Sequence, residues 1–447
     1  MKSIIPFVIK IVTSAIAIYT NMLLAKLLGL QYYGVFNSML SVVFVIGLIT
    51  DWGFSSYGAQ LLAQKTTKEE KILFINHSFS FRIILSVFFS LCYAIFCYLH
   101  FKQDIFYYLC GIPIILFNFL NPEWICRGIF RPDWASYRQF FFTLLNLASY
   151  FVIYKFRLPK YLSFLLYSAN TLISYFIIFR SLRNVIHFNF IISIEWHELK
   201  LFFNKTSIFF LGYLVNNVFY TLGIIFLALF VSNAETGIYS SYYTLFSTLT
   251  TPIVITYTLF SPKVNELSNI FFWNKYFKVI LNICLAGTVV LLFGEKLYSF
   301  FYPKEFVYNQ KYNFLTVGIF ICFCFEALFI LTLIINNRPK LYFRLNLLGL
   351  CINLTGLSII MYTNVLNAYN ALFTLLSTQV IIIILALIIN RGLLKYLLNY
   401  DVIAFLICTC IIVIAMYLNI PIVYYVTSIL GMIYAAVSTV YTLRKLY

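Results

Sequence analysis

Long apolar stretches follow one another along almost the whole of this chain, and short polar connectors separate them. Each stretch has roughly 18–25 residues, and an α-helix needs about 20 apolar residues to cross the hydrocarbon core of a bilayer. The pattern therefore predicts about fourteen membrane-spanning helices. The predicted spans are 4–28, 35–62, 73–99, 105–126, 137–156, 159–180, 203–230, 238–261, 276–300, 312–335, 341–363, 367–390, 401–418 and 421–443.

The positions of the apolar residues indicate helices rather than the strands of a barrel. A membrane-spanning strand alternates apolar and polar residues with a period of two. The run Val380–Ile389 is apolar at every position and so has no polar face. Lipid excludes open sheet edges, which leaves a bundle of helices. We expect an all-α integral membrane protein.

Composition agrees with this class and excludes others. The chain is 62% hydrophobic and 10% charged, which leaves no room for a soluble catalytic domain. Its net charge is +17, but Lys and Arg lie at the ends of spans and form no basic domain, so nucleic acid is not an expected partner. The ten cysteines lack the spacing and histidine partners of zinc or redox sites. We expect packing roles for them, and no cofactor.

The connectors predict an orientation in the membrane. Lys and Arg concentrate on the cytoplasmic side of membrane proteins. With the N-terminus in the cytoplasm, basic residues favour that side by roughly three to one, and the basic connector Lys155–Lys160 is the main departure. An even number of spans then places both termini in the cytoplasm.

The longest connector divides the first twelve spans into two groups. It covers residues 181–202, is predicted to be cytoplasmic, and separates a six-helix lobe (1–180) from a second one (203–390). A further helix pair (391–447) follows. The segment Tyr33–Ser38 resembles Thr236–Ser241, which comes 203 residues later, after the first helix of the second lobe. Two parallel repeats with a cavity between them are typical of alternating-access transporters.

Four short segments resemble one known family. They are Leu27–Phe36 (LLGLQYYGVF), Asp51–Phe54 (DWGF), Asn121–Trp124 (NPEW) with Arg127-Gly128, and Gly237–Tyr239 (GIY). Together with the layout of spans they resemble the Wzx-like flippases of O-antigen and other polysaccharide repeat units, in the multidrug/oligosaccharidyl-lipid/polysaccharide (MOP) exporter superfamily. Lys26 stands where many relatives have Arg, which keeps the charge and loses the planar fork suited to phosphate.

The resemblance implies a function without covalent chemistry, so the protein is not expected to be an enzyme. Its substrate would be undecaprenyl pyrophosphate carrying one oligosaccharide, turned across the bacterial inner membrane by alternating access for O-antigen or capsule assembly. The implied partners are this lipid-linked oligosaccharide, membrane lipids, a polysaccharide polymerase and a chain-length regulator. An H⁺ or Na⁺ gradient, or consumption of the product, would supply direction.

Charged residues inside spans are the candidates for substrate binding, because charge in lipid is unfavourable and normally faces a cavity or a partner. The candidates are Lys10, Lys26, Arg82 and Glu326. Arg82 and Lys26 would contact pyrophosphate, and Glu326 would titrate or bind a hydroxyl or an ion. The alternatives are snorkelling to the interface for the cations and a neutral, hydrogen-bonded acid for Glu326.

Asp51, Glu123 and Arg127 are predicted to form a gate. They lie toward the cytoplasmic ends of the second and fourth spans, where the two acids could pair with Arg127, Arg131 or the second lobe when that side closes. The alternative is a helix cap or a local ion pair. The adjacent Asn216 and Asn217 could hydrogen-bond between helices.

Two other functions stay open. A multidrug-type ion-coupled exporter should prefer an acidic cavity, whereas at least as many basic as acidic residues lie inside these spans. A membrane polysaccharide polymerase should place catalytic residues in a sizeable outer loop, and the outer connectors are short.

Overall fold

The computed structural model describes residues 4–54, 58–129, 132–186, 196–260, 270–335 and 339–389. Helices make up nearly all of these residues, and the described part of the chain contains no strand. The expected all-α fold is confirmed. The fifteen α-helices in these ranges are α1 Ile4–Asp51, α2 Ala59–Gln64, α3 Lys68–His100, α4 Ile105–Leu109, α5 Ile112–Leu116, α6 Glu123–Gly128, α7 Pro132–Phe156, α8 Tyr161–Ile186, α9 Trp196–Phe230, α10 Asn233–Phe260, α11 Ile270–Leu292, α12 Gly294–Phe301, α13 Gln310–Ile335, α14 Pro339–Tyr362 and α15 Ala368–Ile389.

Helix α1 contains the first predicted span and most of the second, without a connector between them. The chain turns at a single residue, Gly29, whose φ of 71° and ψ of 175° are not helical. Glycine adopts this conformation readily because it has no Cβ. The break leaves backbone groups without helical partners, and Lys160 Nζ donates to the Leu28 carbonyl oxygen at 2.9 Å.

The second span ends earlier than predicted. The hydrophobic pattern predicts that it runs to residue 62, but α1 ends at Asp51 and the separate helix α2 begins at Ala59. Trp52 and Gly53 both have positive φ, 43° and 81°, which ends the helix. Positive φ in a bulky aromatic residue such as Trp52 is unusual and strained.

A capping box determines where α3 begins. The Thr67 hydroxyl accepts from the Glu70 amide at 3.2 Å, and the Glu70 carboxylate accepts from the Thr67 amide at 3.3 Å. These bonds use backbone donors that the first turn of a helix otherwise leaves unpaired. The helix therefore starts at Lys68, five residues before the predicted span.

The fourth span is broken. A bend of 40° separates residues 105–116 from residues 118–128, and a 3₁₀ turn at Asn118–Leu120 lies at the break. Gly111 and Pro113 interrupt its first part, and Pro122 precedes α6. The ninth predicted span also bends, by 69° between α11 and α12.

The described residues contain seven helices that are long and apolar enough to cross a membrane, or up to nine when each bent pair is one span. Helix α1 is counted once, although it covers the first predicted span and most of the second. The predicted spans 401–418 and 421–443 lie outside the described residues. The predicted number of fourteen therefore stays a prediction.

The chain forms two compact units, Met1–Ser240 and Ser241–Tyr447. In the first unit α1 packs against α7 and α9, and α7 packs against α8. In the second unit α13 packs against α11 and α15, and α14 against α15. The predicted linker 181–202 includes residues 187–195, which lie outside the described ranges.

Each unit contains the same serine–tyrosine hydrogen bond. In the first unit the Ser38 hydroxyl is 2.5 Å from the Tyr108 hydroxyl, and both residues are buried. In the second unit the Ser241 hydroxyl is 2.7 Å from the Tyr298 hydroxyl, and both are again buried. Ser38 and Ser241 occupy the same place in the two similar sequence segments. This shared bond supports the predicted internal repeat.

Candidate functional site

Glu123 lies at the start of α6, where the NPEW segment shapes the backbone. The Asn121 side-chain oxygen accepts from the Glu123 amide at 3.3 Å, and Pro122 is the N-cap residue of the helix, where its missing N–H removes no intrahelical hydrogen bond. Trp124 turns into the core, and its ring centroid lies 5.6 Å from that of Phe54. The NPEW and DWGF segments, 70 residues apart, therefore pack on each other.

Glu123 forms ion pairs with two arginines. Arg138, on α7, donates from Nε at 3.1 Å and from Nη2 to the same carboxylate oxygen. Arg127 Nη2, one turn along α6, is 3.4 Å from the other oxygen. The Arg138 guanidinium also lies 5.3 Å from the centre of the Tyr175 ring, a cation–π contact. Glu123 and Tyr175 together fix the orientation of Arg138.

The two arginines differ in accessibility. The Arg138 side chain is 13% exposed, whereas the Arg127 side chain is 48% exposed. Lys10, on α1, is half-buried and interacts electrostatically with Arg127 and Glu123. We call Lys10, Glu123, Arg127 and Arg138 the basic cluster. Three cations and one carboxylate leave it with an excess of positive charge, which favours an anionic ligand.

Asp51 and Arg82 form a buried ion pair near the end of α1. Arg82 Nη2 is 3.1 Å from Asp51 Oδ1, and the Arg82 side chain has no exposed surface. The same nitrogen donates to the Asn118 carbonyl oxygen at 2.8 Å. The Asn118 side chain in turn donates to Thr50 Oγ1 at 2.7 Å and to the Gly47 carbonyl oxygen at 2.8 Å. This network joins α3, the end of α1 and the break in the fourth span.

The structure thus brings together several residues predicted for separate roles. Asp51 pairs with Arg82 in this structure, and Glu123 pairs with Arg138 and Arg127. Arg82 is enclosed by protein, in a position from which it does not reach the surface. The predicted gating and substrate-binding roles of these residues stay predictions.

Lys26 and Glu326 lie elsewhere. Lys26 is exposed near Gly29, and 16 residues of helix separate it from Lys10, roughly 24 Å at 1.5 Å per residue. Glu326 is 6% exposed on α13, in the second unit. Neither residue is part of the basic cluster as the structure describes it.

Sequence reasoning missed Arg138 as a functional candidate. By sequence it is one of many basic residues near the predicted cytoplasmic ends of spans. The signal that could have found it is its position six residues inside α7, past the first helical turn, because a cation at that depth needs a partner. Asn118 was also missed, since its role depends on the break in the fourth span.

Within the described ranges, no group of three or more His, Cys, Asp or Glu residues could hold a metal ion.

Comparisons with known proteins identify the family and the fold. Residues 2–260 match the family described as "Polysaccharide biosynthesis protein", and none of the curated proteins matches. The chain is similar to the structure of "Lipid II flippase MurJ, inward closed conformation", with a TM-score of 0.72, 14% identity and 99% of each chain covered.

Multidrug transporters share the fold as well. One is a multidrug resistance MATE family transporter of the MOP superfamily in its inward-facing conformation. Its TM-score is 0.60 and its identity 12%, and the match covers 88% of this chain and 98% of that one. Another is the MATE multidrug transporter DinF-BH, with a TM-score of 0.60, 15% identity and coverage of 87% and 94%. The chain shares its fold with solved transporters of the MOP superfamily, and it belongs to the polysaccharide biosynthesis protein family.

Proposed function

We propose that this protein is a flippase for undecaprenyl-pyrophosphate-linked oligosaccharide repeat units. It would carry them from the cytoplasmic to the outer leaflet of the bacterial inner membrane for assembly of O-antigen or capsule. The observation that carries the proposal is the basic cluster, in a chain of the polysaccharide biosynthesis protein family with the fold of a lipid II flippase.

The geometry of the cluster suits a pyrophosphate. Guanidinium groups bind phosphate oxygens through two parallel hydrogen bonds. Glu123 and Tyr175 already orient Arg138, so that cation contributes charge from a fixed place. Arg127 is half-exposed and lies 3.4 Å from Glu123, so its guanidinium is accessible to a ligand. Lys10 adds a third charge from α1.

Glu123 gives the cluster a further property. A transporter must release its ligand, and three uncompensated cations would bind a pyrophosphate tightly in every conformation. The Glu123 carboxylate lies between two arginines and lowers their affinity for an anion. It pairs with both arginines again when the ligand leaves. A ligand shifts a conformational equilibrium only by its difference in affinity between the states. Movement of α6 relative to α7 would change the distance from Arg127 to Arg138 and supply that difference.

The reaction needs no bond to be made or broken, so the protein acts as a transporter rather than an enzyme. Net direction comes from an ion gradient or from consumption of the product outside. A cluster with three cations to one acid argues against an exporter of cationic drugs, although exporters share the fold.

Deletion of the gene in the source organism tests the proposal. We expect complete lipid-linked units to accumulate facing the cytoplasm, with no surface polymer and no single units outside. Single units outside without long chains would indicate a polymerase instead. Unchanged surface polymer would refute the flippase proposal, and dye-efflux assays would then test the multidrug exporter.

A further inference from the structure

Helix α9 presents polar and aromatic side chains beside the charged residues of the first unit. Phe210, Tyr213, Asn216 and Asn217 follow one another at spacings of three, three and one residues, which places them on one broad face of the helix. Phe210 is buried and stacks on Trp52, with ring centroids 4.8 Å apart and an angle of 26°. This stack fixes α9 against the turn that follows Asp51.

Tyr213 is 42% exposed, one turn beyond Phe210. Its side chain interacts electrostatically with Asp51, Arg127 and Glu123. The Tyr213 ring therefore lies beside the basic cluster, whose ionised side chains avoid lipid. An exposed aromatic ring next to an anion-binding group is a surface on which the adjoining part of a ligand can lie.

The two asparagines differ in their hydrogen bonds. Asn217 Nδ2 donates to the Tyr213 carbonyl oxygen at 2.7 Å, within its own helix. Asn216 Oδ1 is enclosed without a hydrogen-bond partner among the described residues. Buried polar atoms normally have a partner, so this oxygen suits a hydroxyl donor from a ligand. The Asn217 amide therefore bonds within α9 and not to another helix.

Trp52 gives a further reason to assign function to this surface. Its φ of 43° is strained for a bulky residue, and such strain persists where the surrounding structure enforces it, commonly at functional sites. Trp52 is half-buried and follows Asp51 directly. The strained backbone aims an aromatic side chain at Phe210, at the base of the surface that carries Tyr213.

We propose that Tyr213, supported by the Trp52–Phe210 stack and by Asn216 and Asn217, forms a subsite for the sugar ring attached to the pyrophosphate. The inference rests on the proposed function and adds a part of the site that recognises the glycan. The apolar face of a pyranose packs on the Tyr213 ring, and its hydroxyls bond to the asparagine amides, which offer both donors and acceptors. Pyrophosphate at the basic cluster places the first sugar at this surface.

Binding to the full chain in lipid nanodiscs tests the subsite with two probes. One probe is undecaprenyl pyrophosphate, which has no sugar. The other is the lipid-linked oligosaccharide extracted from membranes of a source strain lacking this gene. We expect Tyr213→Ala to raise the Kd of the sugar-bearing lipid about tenfold and to leave the Kd of the sugar-free lipid within about twofold. Tyr213→Phe should retain most of the affinity, since it keeps the ring.

Two further variants make the result interpretable. Arg127→Gln should weaken the binding of both probes, because both carry the pyrophosphate that Arg127 is proposed to contact. Tyr154→Ala removes a tyrosine of α7 that is 52% exposed, and it should leave the binding of both probes unchanged. An equal loss for both probes in Tyr213→Ala, or no loss for either, would overturn the subsite while leaving the flippase in place. Wild-type protein that binds neither probe would overturn the proposed function itself.

Discussion

Gly34 and Gly237 lie against each other's helices in a reciprocal contact. A Cβ on Gly34 would be 1.9 Å from the Asn233 carbonyl oxygen, and a Cβ on Gly237 would be 2.3 Å from the Leu30 carbonyl oxygen. Leu30 and Asn233 each precede one of these glycines by four residues. Contacts that are exchanged in this way are the signature of a local two-fold axis. The crossing joins equivalent positions of the two similar sequence segments.

Alanine at either crossing glycine should separate the helices. Neither Cβ fits without backbone movement, and such overpacking typically costs about 1–3 kcal/mol. We expect Gly34→Ala and Gly237→Ala each to lower the Tm of the purified protein by several degrees. Thermal unfolding in detergent measures this. Gly47→Ala is the control, since the nearest atom to its Cβ would be 3.8 Å away, and equal Tm values for all three variants would contradict the close crossing.

The Asp51–Arg82 pair should act chiefly on stability. Removing one member of a buried ion pair leaves the other charge uncompensated and typically costs about 3–5 kcal/mol. We expect Arg82→Gln and Asp51→Asn each to reduce the yield and Tm of the folded protein. The double variant Arg82→Met with Asp51→Leu should recover much of the loss, because no charge then remains buried. An Arg82→Gln protein of normal Tm that fails to transport would instead support direct contact with pyrophosphate, as the sequence predicted.

Arg127 should affect transport and not folding. Its side chain is half-exposed, and Glu123 keeps Arg138 as an ionic partner when Arg127 is replaced, so the change leaves no buried charge uncompensated at Glu123. We expect Arg127→Gln to lower the rate of lipid-linked oligosaccharide translocation in proteoliposomes at least tenfold, about 1.4 kcal/mol, with an unchanged Tm. Arg180→Gln, at an exposed position on α8, is the matched control. A normal rate in Arg127→Gln would remove this residue from the site.

Glu123 should set the balance between binding and release. Replacing Glu123 with Gln removes the negative charge that opposes an anionic ligand. We expect tighter binding of inorganic pyrophosphate, slower translocation and a lower Tm, because Arg138 loses its ionic partner. Isothermal titration with inorganic pyrophosphate, beside a transport assay, measures these effects. Weaker binding in Glu123→Gln would mean that Glu123 acts by positioning Arg138 and not by competing with the ligand.

Lys26 and Glu326 lie away from the basic cluster and test other stages of the cycle. Lys26→Gln and Glu326→Gln should both leave the protein in the membrane and reduce translocation tenfold or more, about 1.4 kcal/mol. Equilibrium binding of undecaprenyl pyrophosphate separates them from Arg127→Gln, since neither should change its Kd at the cluster by more than about twofold. Normal translocation in both variants would withdraw their predicted roles.

The chemical class of the protein was determined by the sequence alone. Whether a stretch of residues can cross a bilayer depends on its own length and apolarity, and neither depends on the rest of the chain. The same holds for the motifs Asp51–Phe54 and Asn121–Trp124, which placed Asp51 and Glu123 among the candidates. The segments containing Gly34 and Gly237 likewise predict an internal repeat by their similarity alone.

The partners of the charges were decided only by the tertiary structure. Asp51 pairs with Arg82, which lies 31 residues later on another helix. Glu123 pairs with Arg138, which lies 15 residues later and also on another helix. No local sequence pattern indicates either pairing. The early end of α1 depends on φ values at Trp52 and Gly53, and the stack of Trp52 on Phe210 depends on where α9 packs. The apolarity of each helix is enough to place it in a membrane. Tertiary packing determines which polar faces contact each other, because a buried charge is stable only where a residue from elsewhere in the chain pairs with it.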